Sequence, residues 1–200
     1  MKLKKWETAL IAALALTLLA GSALSAQQRE LSDKLIRLHV VANSDSPEDQ
    51  AAKLAARDGV LSELDSLLSG TNGRADASSR ISQNLHMIEN AARRAAGDDR
   101  PIRAELKPEF FPTRQYDTFA LPAGRYMSLR VTLGDGGGRN WWCVVFPPLC
   151  TPSAADGGDA LRELTDTEIA LITETSAGVT VKFKALEIIG RIRELLGVWA

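Results

Sequence analysis

Ile36-Arg37-Leu38-His39-Val40-Val41-Ala42-Asn43-Ser44-Asp45-Ser46-Pro47 is the stretch that decides the fold class. In its first half, Ile36, Leu38 and Val40 alternate with Arg37, His39 and Val41. A period of two marks a strand, so Leu35 to Val41 reads as one that turns Arg37 and His39 to solvent. Asn43 to Ser46 are turn formers. Ser46 suits a helix N-cap, Pro47 the first helical position, and Asp49 completes a Ser-x-x-acid box. A strand that turns directly into a helix places the chain among α/β or α+β proteins.

Working outward, the helix should run from Pro47 to about Leu68, with Leu54, Leu61, Leu64 and Leu68 on one face. Gly59 lies inside it at a cost of about 1 kcal/mol relative to Ala. Ile81, Leu85, Ile88, Ala92 and Ala95 predict a second helix over Asp76 to Ala96, with Gly97 as its stop. Beyond it the pattern becomes extended. Ile102 to Leu106 and Gln115 to Leu121 read as short strands. Tyr126 to Leu133 and Trp141 to Phe146 read as a β-hairpin closed by Gly134-Asp135-Gly136-Gly137-Gly138-Arg139. That glycine run lacks the Lys-Ser/Thr ending and the following helix of a phosphate loop. Ser153 to Asp159 reads as a linker, Thr165 to Thr175 as a short helix, and Ala185 to Leu196 as an amphipathic helix that packs on the sheet. The expected architecture is a single domain: a small sheet containing a β-hairpin, packed by two to three amphipathic helices.

An N-terminal segment stands apart. Lys2, Lys4 and Lys5 precede an apolar run from Thr8 to Ala20, and small residues follow to Ala26. This is the order of a secretory signal, and cleavage could follow Ala23 or Ser25. Thr8 to Ala26 is also just long enough to remain as a membrane anchor. Residues 1–26 are therefore read as signal peptide or anchor, and 27–200 as the exported domain. Without those 26 residues, which hold three lysines and one glutamate, 21 basic residues face 24 acidic ones. The domain has no basic stripe, which argues against a nucleic-acid partner. Membrane contact is expected only through the N-terminal segment.

Two stretches carry a family resemblance. One is Ile36-Arg37-Leu38-His39-Val40-Val41-Ala42-Asn43-Ser44-Asp45-Ser46, followed by Asp49-Gln50 and by Lys53-Leu54-x-x-Arg57-Asp58-x-Val60-Leu61. The other is Gly124-x-Tyr126-x-Ser128-Leu129-Arg130-Val131, then Gly134-x-Gly136-x-Gly138-x-Asn140-Trp141-Trp142-Cys143-Val144-Val145-Phe146-Pro147-Pro148-Leu149-Cys150. Together they resemble the stage II sporulation protein R family over about three-fifths of the chain. The resemblance implies a protein made in the forespore and exported into the space between the forespore and mother-cell membranes. It implies a partner there, the membrane-embedded aspartic protease named stage II sporulation protein GA, which processes the precursor of sigma factor E. It implies a ligand with no chemistry and no cofactor of its own.

The residues supply candidates for the contact. His39, Asn43, Ser44 and Asp45 sit at a strand end, where loops often carry function; the structural alternative is a turn with a solvated histidine. Trp141 and Trp142 point to opposite faces of a strand, so one is expected in the core and the other outside as an interface anchor, unless both faces are covered. Cys143 and Cys150 read as a disulfide in an exported protein. The rival class is an exported thiol-dependent peptidase or cell-wall hydrolase, with Cys143 as nucleophile and His39 as base. A zinc site would need Cys143, Cys150, His39 and His86 to converge, and His86 belongs on a helix surface. A third class is a structural envelope protein held by Thr8 to Ala26.

Overall fold

Four strands in the order β2-β5-β1-β6 form the sheet that positions everything else. They are β1 (Ile36–Val41), β2 (Ile102–Phe111), β5 (Gly124–Leu133) and β6 (Asn140–Phe146). A two-stranded ribbon, β3 (Arg114–Gln115) with β4 (Ala120–Leu121), interrupts the path from β2 to β5. Three helices lie between β1 and β2: α1 (Pro47–Leu67), α2 (Gly73–Gln83) and α3 (Leu85–Ala96). The computed structural model describes residues 4, 6, 8, 28–97, 99–116, 119–149, 164, 165 and 169. Thr8 to Ala26 apart from Thr8, Cys150, the Ser153–Asp159 linker, the Thr165–Thr175 helix apart from Thr165 and Ile169, and the Ala185–Leu196 helix lie outside the described residues. Among the described residues no helix is long and apolar enough to cross a membrane.

The sheet is mixed: β1 runs parallel to β5 and antiparallel to β6, and β2 runs antiparallel to β5. The fold is α+β, as the opening stretch implies. One expectation fails here. Tyr126–Leu133 and Trp141–Phe146 do not form a hairpin with each other, because β1 lies between them. The glycine loop does not close tightly on itself. Gly137 N donates to Asn43 O and Gly138 N to Ala42 O, so the loop straddles the end of β1. The antiparallel neighbours are β1 with β6, β2 with β5 and, within the ribbon, β3 with β4. The segment read as a strand from Gln115 to Leu121 is this ribbon rather than one strand.

The helices cover one sheet face. Ile36, Leu38 and Val40 of β1, Leu129, Val131 and Leu133 of β5, and Cys143 and Val145 of β6 pack there with Ala56, Val60, Leu64, Ile81, Ile88 and Ala92. The N-cap is as read: Ser46 Oγ accepts from Asp49 N at 3.1 Å. Gly59, a cost within its own helix, is what lets α1 and α3 approach. A Cβ there would meet the Ala95 Cβ at 2.6 Å and the Ala91 carbonyl oxygen at 2.8 Å. Leu54 is 40% exposed, off the buried stripe that runs through Ala56, Val60, Leu61 and Leu64.

The expected Asp76–Ala96 helix is two helices. Asn84 leaves helical geometry (φ −120°, ψ 19°), and its side-chain Nδ2 donates to Arg80 O at 2.8 Å. A short polar side chain that bonds the preceding turn competes with the helical ladder, and α3 restarts on Asn84 O. Gly97 ends α3 in the left-handed region with φ 73°, as the sequence suggests.

Candidate functional site

The other face of the sheet is built from the alternate residues of the same strands. Arg37 and His39 of β1, Tyr126, Ser128 and Arg130 of β5, Glu109 and Phe111 of β2, and Asn140, Trp142 and Val144 of β6 share it. The expectation of solvated Arg37 and His39 is overturned: Arg37 is fully buried and His39 is 4% exposed. β1 is a central strand, and side chains from both neighbours and from the ribbon close over it.

Glu109 is the hub. Its carboxylate oxygens lie 3.0 Å from His39 Nδ1, and it accepts from Ser128 Oγ at 2.9 Å and from Arg130 Nη1 at 2.8 Å. Burial works to raise its pKa. The hydrogen bond and charge of His39, then Ser128 and Arg130, override that and bring it from 4.5 down to about 2. The second imidazole nitrogen, Nε2, lies 2.9 Å from Asn140 Oδ1. Trp142 stacks on the imidazole with ring centroids 3.7 Å apart. Phe111 meets Trp142 edge-on at 4.7 Å, and the Arg114 guanidinium lies over Trp142.

Arg37 sits beside this cluster in an aromatic box. Its guanidinium lies 4.1 Å from the Phe111 ring centroid and 5.0 Å from that of Tyr126. Nη2 donates to Tyr116 Oη at 2.8 Å. Among the described residues nothing accepts from Arg37 Nε or Nη1. Tyr126 donates to Pro122 O at 2.7 Å, and its burial pushes its pKa up to about 12.

Asn43, Ser44 and Asp45 do something different. Asn43 Nδ2 and Ser44 Oγ donate to Asp49 Oδ2 at 2.8 and 2.6 Å. Those bonds, Ser44 first, with one from Arg100, hold the Asp49 pKa at about 2, below its usual 3.8. Asn43 Oδ1 accepts from Asp135 N at 2.9 Å, and Asp45 Oδ1 accepts from Arg139 N at 2.7 Å. The three residues therefore latch the start of α1 to the glycine loop. Gly138 is required for that closeness: a Cβ there would fall 2.2 Å from Ser44 O. Of this trio only Asp45 is exposed, together with Arg139 and Asn140. Burial lowers the pKa of Lys53, whose ammonium donates to Gln50 Oε1 at 2.7 Å and Arg139 O at 3.3 Å.

The tryptophans do point apart, as the period requires, but both are half-buried. Trp141 packs on the helix side under the Arg57 guanidinium, 4.9 Å from its ring centroid. Trp142 lies on His39. Sequence reasoning brought His39 and the Asn43–Asp45 turn together by proximity alone, and missed Glu109, Ser128, Arg130, Asn140 and Arg37. The alternation of Ser128 and Arg130 with Leu129 and Val131 was visible. The partner strand carrying Glu109 was not.

The geometry does not support the thiol enzyme. Cys143 pairs with Leu38 and lies fully buried on the helix face, whereas His39 pairs with Trp142 and points to the opposite face. The sheet separates them. Nor does Ser128 complete a triad, since its hydroxyl bonds the carboxylate instead of the imidazole. His86 is exposed on α3, on the far side of the sheet from His39. Among the described residues no cluster of metal-ligating side chains forms. The arrangement is a largely buried polar and aromatic cluster that reaches solvent at Asn140, and Cys150, the other half of the expected bridge, lies outside the described residues.

The family model described as Stage II sporulation protein R matches residues 32–156. Stage II sporulation protein R of Bacillus subtilis (strain 168) is 36% identical over 141 residues, 69% of this chain and 62% of that protein's length. No solved structure matches. The family match spans both the latch and the strands that carry the Glu109 cluster, and the chain belongs to the stage II sporulation protein R family.

Proposed function

We propose that this chain is an exported signalling ligand that activates a membrane-embedded aspartic protease, stage II sporulation protein GA, so that the protease processes the precursor of sigma factor E. Membership of a sporulation family that is not catalytic carries this reading. The site supports it: a buried polar and aromatic cluster with no base aimed at a nucleophile, fixing an exposed sheet end at Asp45, Arg139 and Asn140, suits recognition better than chemistry. Activation then requires that the ligand bind the active state of the protease more tightly than the inactive one.

The proposed contact surface is the end of the sheet where β1 leaves and β6 begins. Asp45 is exposed there, and Trp141 and Trp142 lie on opposite faces of the outer strand β6. His39, Asn43 and Ser44 hold that end in shape from behind. Export places the domain between the two membranes, carried there by residues 1–26. In that compartment Cys143 is expected to pair with Cys150. Mass spectrometry after alkylation, with and without reduction, reads that bond directly.

The test of the function is co-expression of this chain with the protease and the sigma-factor precursor in a non-sporulating host. The expected result is precursor cleavage that requires this chain and falls at least tenfold when Asp45, Trp141 and Trp142 are all changed to Ala. Exported, folded protein that produces no cleavage would sink the proposal.

A further inference from the structure

The sheet has two outer strands, β2 and β6, and their edges are finished differently. On β2, Ala104 N turns outward and donates to Glu89 Oε1 at 2.8 Å. Pro108, in the same alternating set, has no N–H to offer. On β6 the register fixes which groups face out. Ala42 N donates to Arg139 O, Val40 stands opposite Trp141, and Leu38 stands opposite Cys143. In an antiparallel pair those residues exchange the ladder bonds, so the alternate residues Asn140 and Trp142 turn N–H and C=O away from β1. Among the described residues nothing bonds these outward groups. Asn140 is exposed and Trp142 half-buried. The stretch from Asn140 to Trp142 is an open strand edge.

The side chains beside this edge select what can pair with it. A strand added to β6 would turn the residue opposite Trp142 to the Trp142 face, and the residue opposite Trp141 to the helix face. On the Trp142 face stands Arg114. It is exposed, lies 5.6 Å from the Trp142 ring centroid, and has no carboxylate partner among the described residues. On the helix face the Arg57 guanidinium lies 4.9 Å from the Trp141 ring centroid but is already paired, 2.7 Å from Asp58. The charge left to be matched is therefore on the Trp142 face, and Trp141 offers an apolar surface. An extended segment with a carboxylate toward Trp142 and an apolar side chain toward Trp141 complements both. A second copy of this chain does not. Two β6 edges paired about Trp141 would bring the two Arg57 guanidiniums together and set Asn140, which carries no charge, opposite Trp142.

We propose that the Asn140–Trp142 edge captures an extended acidic segment of the partner protein, which joins the four-stranded sheet as a further strand beside β6. The proposal rests on reading that end of the sheet as the contact surface, and it gives the contact a form. Backbone hydrogen bonds supply affinity, and Arg114 and Trp141 supply selection. In the test, the isotope-labelled full-length chain in a non-ionic detergent is titrated with an acetylated and amidated Glu-Val-Glu-Val-Glu peptide while amide exchange is followed. Exchange at Asn140 and Trp142 should slow on the order of tenfold at saturating peptide. Trp141, whose N–H already faces β1, should not change. A Lys-Val-Lys-Val-Lys peptide should have no effect. Arg114→Gln should weaken binding of the glutamate peptide by about threefold or more. Arg103→Gln, at an exposed arginine on the opposite outer strand, should leave it as it was.

Failure of the glutamate peptide to bind, or binding that leaves the Asn140 and Trp142 amides at their free rates, overturns the proposal. Equal slowing by the lysine peptide, or an Arg114→Gln chain that binds as tightly as the parent, also overturns it. The lysine peptide tests the charge preference on the unaltered chain, so the proposal stays open to refutation even if the Arg114 variant does not fold. Slowing that appears without peptide and grows with protein concentration would assign the edge to a second copy instead. No protease is present in this experiment. Chain-dependent precursor cleavage without slowed amides would keep the protease reading and remove the edge. Slowed amides without cleavage would keep the edge and remove the protease.

Discussion

The two faces of one sheet are made by neighbouring residues of the same strands, yet they are held by different forces. On the helix face, Leu38, Leu129, Val131 and Cys143 lie among aliphatic side chains from α1, α2 and α3. Each apolar group removed from water there contributes on its own, at about 25 cal/mol per Å². On the other face, His39, Ser128, Arg130 and Asn140 converge directly or through Glu109, and Arg37 is enclosed by aromatic rings. Buried polar groups stabilise little unless every partner is in place, and they cost heavily when one is missing. The first face holds the larger apolar core, and a smaller one of Leu31, Leu35, Phe111, Leu121, Tyr126 and Val144 lies on the second. The polar groups of the second face specify one arrangement of side chains beneath the exposed end of the sheet.

The difference can be broken or sharpened by substitution. The largest loss should come from Leu129→Ala on the helix face, about 2–5 kcal/mol by denaturant unfolding. A value below about 1 kcal/mol would mean that the helix layer is not the main source of stability. Gly138→Ala should follow at about 1–3 kcal/mol, because its methyl group must push Ser44 O away. Its loss should also appear as faster amide exchange at Asp135 and Arg139, whose N–H groups the latch holds.

Glu109→Gln should cost about 1–2 kcal/mol near pH 7, since His39 and Arg130 lose their shared carboxylate. It should also change the acid response. The Glu109 pKa is lowered from 4.5 to about 2 on folding. Its contribution is therefore complete above about pH 4.5 and disappears as pH falls toward 2. The glutamine protein should show a shallower fall in unfolding midpoint across that window. The slope that remains belongs to groups such as Asp49, lowered from 3.8 to about 2. An unchanged slope would show that Glu109 is not held as described.

The smallest effect tests the limits of the helix face itself. Leu54→Ala should change stability by no more than about 0.5 kcal/mol, whereas Leu64→Ala on the same helix should cost about 2–5 kcal/mol. Leu54 is 40% exposed and Leu64 2%. Similar losses at the two positions would mean that another surface covers Leu54 in solution.

Much of this was legible in the residues. The alternation from Ile36 to Val41, the Ser46–Pro47 helix start and the glycine stop after α3 depend on local rules, and each stands in the structure. The opposite orientation of Trp141 and Trp142 follows from the strand period alone. Leu54 was misjudged because helical spacing shows which residues share a face and not how far the covering layer reaches. The break at Asn84 was masked by apolar spacing that continues across it.

The chain by itself therefore determined its class, its first helix, the positions of β1, β5 and β6, and its family, because these reside in residues close together in sequence. Only the tertiary structure decided that β1 enters between β5 and β6, and with that came the site. Inserting β1 there sets His39 against Trp142 and, across β5, within reach of Glu109, and leaves Cys143 on the other face. Strand order is a choice among long-range pairings whose local patterns are nearly identical, so no run of residues could have announced it.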